Sequence, residues 1–284
     1  MGIFYVESPG QIISAFECIG ENSNCNSLYI RLNGNEYNDT QIKNTVLFYL
    51  EKIDIKVTYI ESNLDFIKCV LSKIIFSDGD LYLGCHKSKY TRLLNFLRCK
   101  YTLLDDGIAS YIYVRNGGKM PVFTCLDVEP NVGQVVKNHK FEVLKGMGKD
   151  KKESASVQIF FGAKYVECGI VNINEYLRIL RTVIESNNNV LYVAHRAESD
   201  ENLALYEDLG MSVIRWKYPS EIALVISEYV IDRVYGLYSA SLVTTKILLP
   251  DVEVNSFNSC VLNIDHDEKE KVYNLVMKYA DYIY

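Results

Sequence analysis

The chain has 284 residues, 49% hydrophobic and 23% charged, with a formal net charge of −6 at pH 7. That ordinary balance excludes a disordered chain, a coiled coil and a collagen-like repeat, and the length suggests two domains or one large one. The acidic surplus argues against a protein that coats nucleic acid.

The elements read in chain order as strand and helix in alternation. Ile3–Glu7 is a short apolar strand, and Pro9 opens a helix with Ile12, Ile13, Phe16 and Ile19 on its inner side. A strand over Ser27–Leu32 is followed by a helix over Asp39–Glu51, capped by Asp39 or Thr40. Ile55–Tyr59 is a strand, and Ser62 caps a helix to about Ile75. Leu81–Cys85 is a strand, Lys87–Phe96 a helix and Tyr101–Leu104 a strand. From Arg115 to Ser156 the pattern dissolves into glycines, prolines and the charged run Lys149–Glu153. It then resumes. Strands fall at Val157–Phe161, Val190–Ala194, Ser212–Trp216, Asp232–Tyr235 and Val252–Ser256. Helices fall at Asn174–Glu185, Ser199–Leu209, Pro219–Ser227 and Ser239–Leu248, with a closing helix over Asp267–Tyr282. Repeated strand–helix units imply a parallel sheet covered on both faces. The expected organisation is therefore α/β, two Rossmann-like halves over residues 1–150 and 151–284 that face each other across a cleft.

No run of about 18 apolar residues is present, so no transmembrane helix is expected. The start lacks a charged n-region and reaches Glu7 and Pro9 too soon for a signal peptide, and Val6 removes a myristoylation signal. The eight cysteines form no CxxC, which fits reduced core thiols in a cytoplasmic protein. Four scattered histidines do not suggest a zinc site.

Ligands of open α/β sheets sit beyond the carboxyl ends of the strands. Ser8 and Gln11 follow the first strand, and Gly84 and His86 end the fourth. The fifth ends in Asp105-Asp106-Gly107. Adjacent carboxylates raise the pKa of one member, which suits a general base, and the glycine permits a tight turn. The plainer alternative is an Asp-Gly turn with Asp106 capping the next helix. In the second half, His195-Arg196 follow a strand, Glu221 opens a helix, and Ser239-Ala240-Ser241 lead from strand to helix. A histidine there can donate to a phosphate, a glutamate can take both hydroxyls of a ribose, and serines at a helix start favour an anion. Each also has a structural reading as a packed histidine, a dipole partner or an N-cap. No GxGxxG or GxxxxGK[ST] occurs, which argues against dinucleotide and P-loop chemistry.

Taken together, the DDG, the histidine and the serines resemble bacterial sialyltransferases of the lipooligosaccharide sialyltransferase and capsular polysialyltransferase families. Those families carry an acidic–acidic–Gly motif, a His-Pro motif and a Ser pair on a GT-B fold. YVESPGQIISAFE, DLYLG and FFGAKYVECGIVNINEYLRIL extend the similarity over nearly the whole chain, least clearly through Asn116–Ser156. Three positions depart from the pattern: Arg196 replaces the proline, Ala240 splits the serines, and Ala163 stands where glutamine is frequent.

The resemblance implies inverting transfer of sialic acid from a CMP donor to a hydroxyl of a glycan acceptor, in capsule or lipooligosaccharide synthesis. Asp106 would be the base, tuned by Asp105, with Gly107, Ser8 and Gln11 on the acceptor side. His195 would hydrogen-bond or protonate the leaving phosphate, helped by Ser239 or Ser241. Glu221 would hold the ribose. Gly162, Ala194 and Arg196 would line the donor, with backbone groups around Ala194–Arg196 reading the cytosine edge. No metal would be required. Asp78-Gly79-Asp80 and Asp265-His266-Asp267 have DxD spacing but read as a turn and a helix start. A peripheral association with the inner membrane face and a homodimer covered by the middle segment are compatible with this reading, and the closing helix could pack back on the first half. The departures keep two alternatives open: another nucleotide sugar on the same fold, or a nucleotide-binding relative with impaired catalysis.

Overall fold

The computed structural model describes residues 2–21, 26–76, 79–148, 156–187, 189–258, 263 and 266–284. The chain divides into two compact units, Met1–Gly146 and Met147–Tyr284. The charged run Lys149–Glu153 lies outside the described residues, as do Cys25, Cys260, Asp78 and Asp265.

The first unit is built on strands β1 (Gly2–Val6), β2 (Asn26–Arg31), β3 (Lys56–Ile60), β4 (Asp80–Leu83), β5 (Thr102–Leu104), β6 (Val122–Thr124) and β7 (Val136–Asn138). They form one sheet in the order β3-β2-β1-β4-β5-β6-β7, and every pairing is parallel. The helices are α1 (Pro9–Glu21), α2 (Glu36–Leu50), α3 (Asn63–Phe76), α4 (Lys89–Phe96), α5 (Ile108–Arg115) and α6 (Glu142–Lys145). Pro9 starts α1, whose residues from Gln11 to Ile19 are all buried. A helix buried on every side needs its polar groups satisfied. Glu17 meets that need by accepting from the Val143 and Leu144 amides at 3.0 and 2.8 Å, which caps α6. Stacked rings, Phe16 on Tyr49 and Phe4 on Tyr82, fill the space around it.

The second unit contains β8 (Ser156–Phe161), β9 (Val190–Val193), β10 (Ser212–Ile214), β11 (Val230–Gly236), β12 (Glu253–Ser256) and β13 (Tyr282–Ile283). Their order is β10-β9-β8-β11-β12-β13, again all parallel. The helices are α7 (Ile173–Ser186), α8 (Asp200–Asp208), α9 (Ser220–Ile226), α10 (Ala240–Leu248) and α11 (His266–Met277). Phe160, Tyr176, Tyr192 and Tyr206 form one fully buried aromatic cluster. Burial of one such side chain is worth about 1.5–3 kcal/mol. The Tyr176 and Tyr192 hydroxyls lie 2.9 Å apart, so these two polar tips partner each other inside the core.

Several expected boundaries shift. The second helix begins at Glu36 with Asn35 as its cap, because the Asp39 carboxylate turns back to accept from the Asn33 and Gly34 amides. The segment expected to be irregular contains β6, β7 and α6. The closing helix ends at Met277, and the chain then adds β13 beside β12 in register Asn255↔Tyr282. None of the six described cysteines forms a disulfide, but only Cys18 and Cys125 are buried, so the expected core role holds for two of them. No described helix is long and apolar enough to cross a membrane.

Candidate functional site

Strand order in the first sheet reverses between β1 and β4, and the DDG follows β5 beside them. Gln11 joins these strand ends. Its amide oxygen accepts from the Glu7 amide at 2.8 Å, and its Nε2 donates to Asp106 Oδ1 at 2.9 Å. The Ser8 hydroxyl donates to the same oxygen at 3.4 Å. Gly84 has to lack a side chain, since a Cβ there would run into the Gln11 amide.

The two aspartates divide the work. Asp105 is buried, and its carboxylate accepts from the Gly107 amide (2.9 Å), the Thr124 hydroxyl (2.8 Å) and the Cys125 amide (2.9 Å). Its own amide donates to the Ser14 hydroxyl at 3.0 Å. Asp105 therefore ties the end of β5 to the end of β6 and to α1. Gly107 sits at φ +61°, a conformation suited to glycine, and is itself the N-cap residue of α5. Asp106 does not cap α5; its amide donates to the Ser110 hydroxyl at 2.7 Å. Burial, opposed by the Gln11 bond and reinforced by Asp105 and Glu7, pushes the Asp106 carboxyl up to about 6. It is thus ionised at neutral pH yet far more basic than an exposed aspartate. The His86 ring packs on Tyr113 at 5.0 Å, and burial with the Lys87 charge lowers its pKa.

Among the described residues, the buried group Asp105, Cys125 and His139 brings three potential metal-ligand atoms within 4.8 Å of one another. The Asp105 oxygens there already accept the three hydrogen bonds that hold the turn.

In the second sheet the order reverses between β8 and β11. Adjacent strands β9, β8 and β11 are followed within three residues by His195, Gly162 and Ser239. Buried Glu198 organises the first two. It accepts from the Tyr192 hydroxyl and the His195 amide, both at 2.5 Å. A Cβ on Gly162 would strike that carboxylate and the Tyr192 hydroxyl, so the missing side chain admits Glu198. The Ala194 amide is spent on Ile214 O at 2.8 Å. Of the backbone groups around Ala194–Arg196 expected to read the cytosine edge, the Ala194 and His195 amides are engaged inside the unit. Arg215 closes the loop by donating to the His195 and Glu198 carbonyls at 3.1 and 2.8 Å.

His195 Nδ1 accepts from the Ala197 amide at 3.1 Å, which leaves the proton of the neutral ring on Nε2. Burial, with Arg196, Lys164 and Arg215 nearby, pushes the imidazole down to about 4. It is a neutral donor at pH 7. Ser239 caps α10 by accepting from the Ser241 amide at 3.2 Å, so the plain reading of Ser239 is realised while its own O–H stays available to donate. Tyr238 just before it adopts φ +40°, uncommon for a bulky residue and frequent at functional turns. The Ser241 hydroxyl lies 3.0 Å from that of Ser220. Glu221 accepts from Ser220 at 3.3 Å and from Thr244 at 3.1 Å. Glu221 and Ser241 are thus brought into one polar cluster at the starts of α9 and α10.

Ser14, Ser110, Thr124, Glu198, Arg215, Ser220 and Thr244 complete these sites without having been singled out in the sequence. Only Glu198, three residues after His195 and just ahead of a helix, left a local trace.

No protein-family model matches the chain, and no curated protein sequence matches it. Solved structures do resemble it. The α/β-galactoside α-2,3-sialyltransferase of the luminous marine bacterium Photobacterium phosphoreum is 13% identical with TM-score 0.51, over 99% of this chain and 98% of that one. A glycosyltransferase from Rickettsia africae is 11% identical with TM-score 0.50, over 90% and 79%. MurG from Acinetobacter baumannii is 10% identical with TM-score 0.46, over 100% and 85%. At such identities the likeness to the first two concerns the fold, and with the two parallel sheets it gives the chain the GT-B fold of two Rossmann-like domains.

Proposed function

We propose that the chain is a glycosyltransferase that moves sialic acid, with inversion, from a CMP-activated donor to a hydroxyl of a glycan acceptor. The observation that carries this reading is Asp106: a half-buried carboxylate at a strand end, pushed up to about 6, with one oxygen oriented by Gln11 and Ser8. A sugar hydroxyl is a poor nucleophile and needs such a base. Asp106 takes its proton as the new C–O bond forms at the anomeric carbon. The bond from that carbon to the CMP phosphate oxygen breaks, and CMP leaves with the electron pair. The transition state resembles an oxocarbenium ion.

The second unit supplies the donor side. His195 Nε2–H, the Ser239 and Ser241 hydroxyls and the start of α10 offset the phosphate charge, and Glu221 takes the ribose hydroxyls. Arg196 lies next to His195 and acts on it electrostatically. CMP has one phosphate, so this reading assigns no role to a metal. The glycosyltransferase neighbours and the sequence resemblance support the reaction class, and the DDG, His195 and serine pattern support the sialyl donor.

The test compares CMP, UDP and GDP by thermal shift, followed by transfer from CMP-sialic acid. A ligand at about 100-fold its dissociation constant adds about 2.7 kcal/mol of apparent stability. The expected result is a shift with CMP alone and transfer from CMP-sialic acid. A shift with UDP or GDP instead would move the reading to another nucleotide sugar, which the departures at Arg196 and Ala240 make the natural second choice.

A further inference from the structure

A cavity of about 580 Å³ opens in the first unit, lined among others by Glu7, Arg31, Phe66, Lys87, Tyr90 and Arg92. It adjoins the base. Glu7, Cys85 and Tyr90 in its wall all interact electrostatically with Asp106. Phe66, Leu64 and Ile67 form an apolar side.

The charge around it is lopsided. Arg31, Lys87, Lys89 and Arg92 face a single carboxylate, Glu7. Glu7 pairs with Arg31 at 2.6 Å, and no described carboxylate forms an ion pair with the other three cations. Arg31, a wall residue, carries a buried Nε with no hydrogen-bond partner among the described residues. Buried donors left unpaired are rare, and an excess of cations over an empty space calls for an anion. Guanidinium nitrogens suit the planar oxygens of carboxylate and phosphate, and Arg31 Nε remains free to donate while one terminal nitrogen holds Glu7.

We propose that this cavity holds the anionic group of the acceptor: a carboxylate or phosphate on the sugar whose hydroxyl Asp106 deprotonates. The apolar wall takes the carbon face of the sugar, and Glu7 takes a neighbouring hydroxyl. This rests on the glycosyl-transfer reading for the word acceptor; the anion site itself rests on the cavity.

The experiment is calorimetric titration of the full chain, without donor, using two matched pairs: sialyllactose against lactose, and galactose 6-phosphate against galactose. Arg31→Gln and the exposed pair Lys87→Gln with Arg92→Gln are titrated alongside. The expected result is at least tenfold tighter binding of one charged sugar than of its neutral partner, lost tenfold or more in Arg31→Gln. The double variant should weaken binding and flatten its salt dependence, which keeps the test open if Arg31→Gln does not fold. Tighter sialyllactose marks a carboxylate acceptor, and tighter galactose 6-phosphate a phosphorylated one. Equal binding of charged and neutral sugars, no measurable binding of either charged sugar, or variants that bind like the parent would overturn the proposal. Because the donor is absent, failed transfer from every nucleotide sugar alongside charge-dependent binding would sink the functional reading and leave the cavity assigned.

Discussion

The turn after β5 and the loop after β9 solve one problem in opposite ways. Each uses a buried carboxylate as a brace and presents a nearby residue to which the proposed function gives a role. After β5 the brace is Asp105, held by three donors, and the presented group is the Asp106 carboxylate. After β9 the brace is Glu198, held by two short bonds, and the presented group is the His195 imidazole. Burial moves both presented groups toward neutrality, but from opposite sides: Asp106 up to about 6 and His195 down to about 4. At pH 7 one is an anion and the other is uncharged. In the proposed reaction Asp106 would therefore act as a base and His195 as an uncharged hydrogen-bond donor rather than a charged acid.

The largest expected effect comes from Asp106→Asn, which keeps the Gln11 bond and removes the base. Transfer should fall about 10²–10⁴-fold. Stability should move the other way. A carboxyl raised in the folded state contributes stability fully present below its unfolded value, near 3.8, and lost as pH rises through about 6. Above pH 6 the native protein carries the cost of a buried charge that asparagine lacks. Asp106→Asn should thus melt at a higher temperature than the parent at pH 8, with the gap closing toward pH 4. Near-normal transfer, or a lower melting temperature at pH 8, would break the comparison on its base side.

His195 is tested next, through pH. Of the two presented groups only Asp106 titrates between pH 5 and 8, so kcat/KM should rise with an apparent pKa near 6, while burial also pushes Glu17 and the brace Glu198 up to about 7. A falling limb near neutrality, lost in His195→Gln, would show that a protonated group of this loop, the imidazole or its Glu198 brace, is required. His195→Ala should lower kcat and kcat/KM together by about 10²–10³-fold, the usual loss for one transition-state donor. His195→Gln, which keeps an N–H, should recover part of it.

Much of this was legible because the fold writes its chemistry at strand ends. Ser62, Ser88, Ser199 and Ser239 each precede an apolar-periodic run and each accepts from an amide two or three residues on. β6 and β7 were not legible. Three residues each, among glycines and prolines, carry no periodicity, and tertiary pairing of β6 to β5 and of β7 to β6 makes them strands. The same gap hid half of the first site. Thr124, at the end of β6, reaches Asp105 from 19 residues away. The presented groups are local to a motif, whereas their braces arrive from elsewhere in the chain, and a lone sequence shows only the former.

The smallest effect separates brace from base. Thr124→Val keeps the shape of the side chain but removes one of three donors to the Asp105 carboxylate and the acceptor for the Leu126 amide. A hydrogen bond to a charged group is worth about 1.5–3 kcal/mol, so a unit of this size should lose several degrees of melting temperature. Because Gly107 and Cys125 still hold Asp105, transfer should drop less than tenfold, with the pH profile in place. If Thr124→Val instead abolished transfer as fully as Asp106→Asn, Asp105 would be a reacting group and the division of labour between the two aspartates would fail. Tyr192→Phe is the matching change after β9, since it removes one of the two donors to Glu198. A similar loss of stability with a small loss of transfer there would show that both units hold their presented residue by the same means.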